Sequence, residues 1–361
     1  MQGIRALKYA TLFILPVMAI ASIRAGGWYT FIPIGYSFLF IPFLELFMTP
    51  SEANMDKVQE QIAKKDKLYD YMVWFTVPMH YAFLFYVLWL LSDWSGYSWT
   101  GVETAGLISM AALSCGVIGI NVAHELGHRR TKHERIMAKL LLLTSQYMHF
   151  YIEHNKGHHR NVSTPEDPAS ARYGESLYAF WFRSMVFSYI SAWKIELKRL
   201  EKAGEPKWSP IHNEMLRFQL IQIAFAVGIG LVFGWVVMGY YLVMALGGAL
   251  LLETVNYIEH YGLQRKKVGE NRYERTLPIH SWNSNHPVGR LMLFELSRHS
   301  DHHYMPGRKY QILRHHDDAP QMPTGYPGMM LLSTIPPLWF YVMHRKIARL
   351  RNENADGMAL A

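Results

Sequence analysis

The stretch Glu153-His154-Asn155-Lys156-Gly157-His158-His159 sets three imidazoles within six residues. A spacing of four predicts that His154 and His158 share one helical face, with His159 turned in a different direction. An imidazole taken out of water needs a hydrogen-bond or metal partner, so this density reads as a set of metal ligands. Matching clusters lie elsewhere in the chain: His124 and His128 in NVAHELGHR, His260 in NYIEHYGL, and His299, His302 and His303 in SRHSDHH.

What surrounds these clusters follows from composition. Half of the 361 residues are hydrophobic, yet the mean hydropathy is close to zero, so apolar and polar segments must alternate in blocks. That pattern describes a membrane protein with a large wet part. The 11 Trp and 22 Tyr suit a bilayer whose interfaces collect amphipathic rings. A single thiol, Cys115, excludes a disulfide framework, a zinc ribbon and an iron–sulfur cluster. The net charge of +8 could serve nucleic acid, but its placement between apolar segments argues for membrane topology.

Six apolar stretches have the length of a span: 7–23, 28–48, 69–91, 102–123, 216–238 and 240–258, the last two turning around Gly239. The first, with Arg5, Lys8 and Ala19-Ile20-Ala21, also imitates a signal peptide; the spans that follow favour a first transmembrane helix. Ile136 to Tyr151, Leu177 to Trp193 and a final piece from Leu331 to Arg349 are amphipathic, and the first two read as interfacial helices. The fold class is therefore all-α: six transmembrane helices, interfacial helices and a histidine-rich cap in one domain, residues 1–361. Lysine and arginine concentrate in the loops after spans two and four and in the tail after span six. The positive-inside rule then places the cap and both termini in the cytoplasm of a multi-pass protein, and all four histidine groups at cytoplasmic helix ends.

Nine imidazoles are too many for one zinc, which takes about four ligands in structural sites and about three plus water in catalytic ones. Two metals fit better, with iron, copper and zinc all open. Paired ExxH motifs, the mark of soluble di-iron bundles, are missing.

Together HELGH, EHNKGHH, NYIEHYG and RHSDHH resemble the integral-membrane alkane 1-monooxygenases, and the likeness runs from the first span to the PTGYPGM tail. The H-x3-H, H-x3-HH and H-x2-HH series alone is shared with membrane fatty-acid desaturases and xylene monooxygenases; NYIEHYGL narrows the resemblance. It implies nine ligands of a di-iron centre: His124, His128, His154, His158, His159, His260, His299, His302 and His303. It implies terminal hydroxylation of medium-chain n-alkanes with O2, in a bacterial inner membrane. Electrons would come from NADH through rubredoxin reductase and rubredoxin. One cysteine leaves no room for a rubredoxin domain here, so the donor is expected to be separate or to lie beyond this sequence.

Other readings stay open on the residues alone. A fatty-acyl desaturase or hydroxylase shares the site, a non-catalytic metal carrier would show no turnover, and a lone HELGH serves zinc proteases with Glu125 as general base. The remaining histidines, among them His133, His149, His280, His286, His344 and the His315-His316 pair, read as ordinary polar residues. Glu253 and Asn256 lie seven and four residues before His260 on its helical face, and Glu153, Glu259 and Asp301 adjoin ligands; all could orient an imidazole N–H. Ile120, Val117, Leu113 and Met110 project back from His124 on one face of span four and are expected to line a dry substrate channel.

Overall fold

The computed structural model describes residues 3–270 and 272–353. Six of its helices are long and apolar enough to cross a membrane: Arg5–Ala25, Gly27–Glu45, Lys67–Leu90, Gly101–Gly127, Glu214–Phe233 and Trp235–His260. These are spans one to six. Asp66 caps span three through the Leu68 N–H at 2.9 Å, and Asn213 caps span five through the Leu216 N–H at 2.9 Å. Thr100 and Glu103 form a capping box at span four. These caps satisfy amide N–H groups that a helix start leaves without a partner.

Prolines shape the first two spans. Pro33 and Pro42 each open a short α-segment of span two, and the backbone relaxes into a π-turn over Tyr36–Phe40 between them. A proline donates no N–H, and a local change of helix type absorbs the freed carbonyl. Span four is interrupted too, by a π-helix at Cys115–Ile120 between α-segments Gly101–Ser114 and Asn121–Gly127.

Two boundaries differ from the sequence reading. Spans five and six meet at Gly234, not Gly239, because Gly234 takes φ 101°, which favours glycine, while the Trp235 ring packs where a Cβ on Gly230 would stand. His124 and His260 also belong to span helices rather than to the chain beyond them. The amphipathic stretch 136–151 is not one helix: Lys132–Leu143 ends before Gln146, whose left-handed φ of 51° is stabilised by its side-chain bond to Tyr241 Oη at 2.7 Å. Leu177–Ala203 is a single helix of 27 residues, and the last amphipathic stretch breaks between Tyr326–Ser333 and Pro336–Glu353 where prolines begin the new helix.

The chain divides into two compact units. The first holds residues 1–37, 66–155 and 189–252. Its apolar core joins Ile23, Phe83, Leu84, Leu107, Met110, Tyr241 and Met244. Span four is its axis, since 72% of its most apolar window is buried against 22% for span five. The second unit holds residues 38–65, 156–188 and 253–361. It contains much irregular backbone, and arginines satisfy its carbonyls: Arg298 donates to Leu313 O (2.7 Å) and Ala53 O (2.9 Å), Arg290 to Ser51 O (2.8 Å), Arg265 to Arg160 O (2.9 Å). A two-stranded antiparallel hairpin, Lys267–Gly269 with Arg272–Tyr273, is the sheet among the described residues.

Candidate metal centre

In the first unit His124 sits in the α-segment Asn121–Gly127 and His128 caps its end, so H-x3-H spacing presents both rings together. His154 joins them. The ring centroids lie 5.2 Å (His124–His128), 4.5 Å (His124–His154) and 5.0 Å (His128–His154) apart, and the Nε2 atoms of His128 and His154 approach to 3.0 Å. Phe150, one helical turn earlier, stacks on His154 at 4.6 Å and fixes the ring plane. Glu125 faces Arg129, which donates to its Oε1 from Nε at 2.9 Å, holds it as an ion pair with Nη2 2.6 Å away, and donates to Asp70 from Nη1 at 3.1 Å. Burial would lower the Arg129 pKa, but Glu125, Asp70 and Glu134 together hold it above its ordinary value.

In the second unit His158, His260, His299 and His303 converge, all buried, with one nitrogen from each within 4.8 Å of the others. Two Nε2 to Nε2 contacts run through them, His158–His303 and His260–His299, both 3.2 Å. A neighbouring pair, His159 and His302, meets at 3.1 Å. Here the backbone corrects the sequence reading. His154–His158 is a π-turn, followed by a short α-turn at His159–Asn161, so residues four apart do not stack as on an α-face. Accordingly His154 groups with His124 and His128, whereas His158 groups with His260, His299 and His303.

The donor set fits a metal. His158 Nδ1 lies 2.8 Å from Asp167 Oδ2, and Asp167 also accepts from Ser170 Oγ at 2.6 Å. An Nδ1–H donating to that carboxylate turns Nε2 toward His303 Nε2 as an acceptor, and ring nitrogens that converge in this way suit a cation. Burial, with His299, His159 and His158 adding to it, keeps the His303 pKa well below its usual value, hence neutral and able to ligate. Burial pushes the Asp167 carboxyl up, but His158 and Ser170 outweigh it and leave it below the ordinary range.

Asp167 carried no signal in the sequence: it is one acid of a polar loop, nine residues after His158, with no spacing that ties it to a ligand. Among the acids singled out, Glu259 Oε2 lies 3.2 Å from His299 Nε2 while its Oε1 accepts from Tyr326 Oη at 2.8 Å. Asn256 Nδ2 donates to Glu253 at 3.4 Å, and Ser191 Oγ to Glu153 at 3.5 Å. Asp301 binds Arg308, His316 and the Arg314 N–H. His315 is taken up by Asn285 and Asn54.

A small apolar cavity in the first unit is lined by Leu15, Pro16, Phe83, Met110, Leu113, Ser114 and Ile118, among others. Met110 and Leu113 of the expected row face it; Val117 and Ile120 do not line it. The π-helix is the reason, since its wider turn advances the face from Leu113 to Ile118 instead of Val117.

Comparison with known proteins agrees with this geometry. Residues 97–333 match the fatty acid desaturase family model. Alkane 1-monooxygenase 2 of Pseudomonas aeruginosa is 40% identical over 310 residues, 85% of this chain and 81% of that protein. Alkane 1-monooxygenase of Ectopseudomonas oleovorans is 41% identical over 325 residues, covering 89% and 76%. The xylene/toluene monooxygenase hydroxylase component XylM of Pseudomonas putida is 31% identical over 240 residues, 66% and 63%. With buried histidine clusters, six membrane-length helices and 40–41% identity over 85–89% of its length, the chain belongs to the alkane 1-monooxygenases, within the wider fatty acid desaturase family.

Proposed function

We propose that this protein hydroxylates the terminal carbon of medium-chain n-alkanes at a di-iron centre. The observation that carries the reading is the convergence of four buried imidazoles, one of them fixed from behind by Asp167. His158, His260, His299 and His303 of the second unit would hold one iron, and His124, His128 and His154 of the first unit and the pair His159 and His302 of the second are the remaining candidate ligands. Bound iron supplies the redox chemistry with dioxygen that imidazole lacks and that redox-inert zinc could not provide.

The chain's own residues do the remaining work. Asp167 holds the His158 Nδ1–H and so orients that ring, while Tyr326 holds Glu259 beside His299 Nε2. The apolar cavity beside Met110, Leu113 and Ile118 takes the hydrocarbon tail, for which burial is the only source of affinity, at about 0.8 kcal/mol per CH2. Electrons arrive from rubredoxin, reduced by NADH through its reductase. The basic loops face the cytoplasm of a bacterial inner membrane.

The test is a reconstituted assay of the purified membrane protein with rubredoxin, its reductase, NADH and alkanes from octane to hexadecane, run beside metal analysis. Two irons per chain and 1-alkanol product are expected. One zinc per chain, or turnover of acyl thioesters with no product from alkanes, would overturn the reading.

A further inference from the structure

The connection from the helix Leu177–Ala203 to span five holds two large apolar side chains away from the protein: Trp208 is 74% exposed and Ile211 79%. The backbone that carries them is braced. Arg199 Nη2 donates to His212 O at 2.6 Å, Asn213 Nδ2 to Lys207 O at 2.7 Å, and Arg217 Nη1 to Ile211 O at 2.7 Å. Bonds to these carbonyls fix the loop, so the exposure of both side chains is built into the fold. Trp193 of the preceding helix lies beside Trp208, with ring centroids 6.4 Å apart, which keeps the loop against the end of that helix. Large apolar side chains presented among polar ones mark a surface for a partner.

The last turns of the same helix carry Lys194, Lys198 and Lys202, all exposed and each four residues from the next, which sets them in one inclined row. Among the described residues none of the three makes an ion pair. The acids of this stretch are engaged with other groups: Glu196 with Arg199, Glu201 with Lys207, Glu205 with His212 and Glu214 with Lys139. Ile190, one step back along the row, is exposed as well, so the row passes from apolar to cationic. Its place in the fold points to the occupant. Asn213 caps span five, which begins at Glu214, so Trp208 and Ile211 stand just before a membrane-length helix. There the hydrocarbon of a bilayer gives way to headgroups, a zone where indole rings settle and lysines reach phosphate.

We propose that Lys194, Lys198 and Lys202, with Trp208 and Ile211, form a binding surface for anionic phospholipid. The three ammonium groups take the phosphates, and the two apolar side chains enter the boundary between headgroups and acyl chains. A free phosphate ion would satisfy the lysines but has no use for Trp208 and Ile211, which favours a lipid. The inference needs only that span five crosses the membrane, and it is independent of the reaction at the metal centre.

The experiment titrates the iron-loaded full chain in detergent with phosphatidylglycerol or phosphatidylcholine and follows the first lipid bound by native mass spectrometry. Phosphatidylglycerol should bind at least tenfold more tightly than phosphatidylcholine, and added salt should reduce that preference. Lys194→Gln combined with Lys198→Gln and Lys202→Gln should lower the preference at least fivefold at unchanged iron content, whereas arginine at the three positions should keep it. Depth is read separately in phosphatidylglycerol nanodiscs. Cys115 is the chain's one thiol and is buried, so Trp208→Cys accepts a single spin label, which should meet oxygen dissolved in the bilayer rather than an aqueous nickel complex. Equal binding of the two lipids by the wild type, or an unaltered preference in the glutamine variant, would overturn the proposal. So would a label at residue 208 that meets only the aqueous complex. Displacement of the lipid by inorganic phosphate at the same concentration would make the lysines a free-anion site and overturn it too.

Discussion

The two units hold their histidines by different means. In the second, carboxylates reach the imidazoles themselves: Asp167 touches His158 and Glu259 touches His299. In the first, the acid between two ligands, Glu125, turns to Arg129, and Arg129 also binds Asp70 on span three. One arrangement orients the ring; the other fixes the helix that carries it. Charge explains the split, because a buried carboxylate is tolerated only when a proton donor or cation faces it. Where the imidazole N–H is near, it serves; where the acid sits one residue after His124 on a helix, an arginine one turn on serves instead.

This contrast can be broken at graded cost. The largest effect is expected from His260→Ala, which removes a fully buried ligand of the quartet. Losing a residue that merely orients a ligand costs about 10–100-fold in affinity or activity, so loss of the ligand itself should exceed ~100-fold, read as iron per chain and alkanol formed. Full activity would remove NYIEHYGL from the site. Next comes Arg129→Gln. It leaves Glu125 buried without its cation and Asp70 with only Lys67 at 3.5 Å, at about 3–5 kcal/mol of stability, measured by unfolding in detergent. Folded variants should still bind iron; if they lose iron with no loss of stability, Arg129 serves the site and the contrast fails.

Asp167→Asn sharpens the other half of the contrast. The amide cannot accept the His158 N–H as a charge, so iron affinity should fall by about 10–100-fold with little change in melting temperature, followed by chelator competition. A purely structural Asp167 would show the reverse pattern.

How far the sequence could reveal these features follows from the range of each interaction. The histidine clusters were legible because i,i+3 and i,i+4 spacing writes them into short motifs, and six spans were legible because bilayer thickness dictates their length. Asp167, Tyr326 and the bond from Arg129 to Asp70 were not, since these contacts are set by the path of loops and by packing across helices. The π-turns at Cys115–Ile120 and His154–His158 were hidden for a related reason. No residue type marks a π-turn, and a single wide turn shifts every later side chain by one position. That shift is why Ile118 replaces Val117 at the cavity and why His154 and His158 part company.

The smallest effect is expected from Glu125→Gln, and it decides between two readings of HELGH. In a zinc protease the glutamate of this motif must be free to take a proton from water, and its amide would abolish turnover. Here Glu125 Oε1 accepts a bond from Arg129 Nε at 2.9 Å with Nη2 of the same cation 2.6 Å away, and the pair is buried. A carboxylate neutralised in this way makes a poor base. The glutamine keeps the shape and one acceptor oxygen, and Arg129 retains Asp70, with Glu134 at 4.0 Å. Stability should therefore fall by about 1–2 kcal/mol, the cost of one charged hydrogen bond, while iron content is retained and alkane turnover stays within about threefold of wild type. Rates with dodecane and iron analysis on the same preparation give the answer. A fall of two orders of magnitude in turnover at full iron occupancy would show that Glu125 acts on the reaction rather than on its helix.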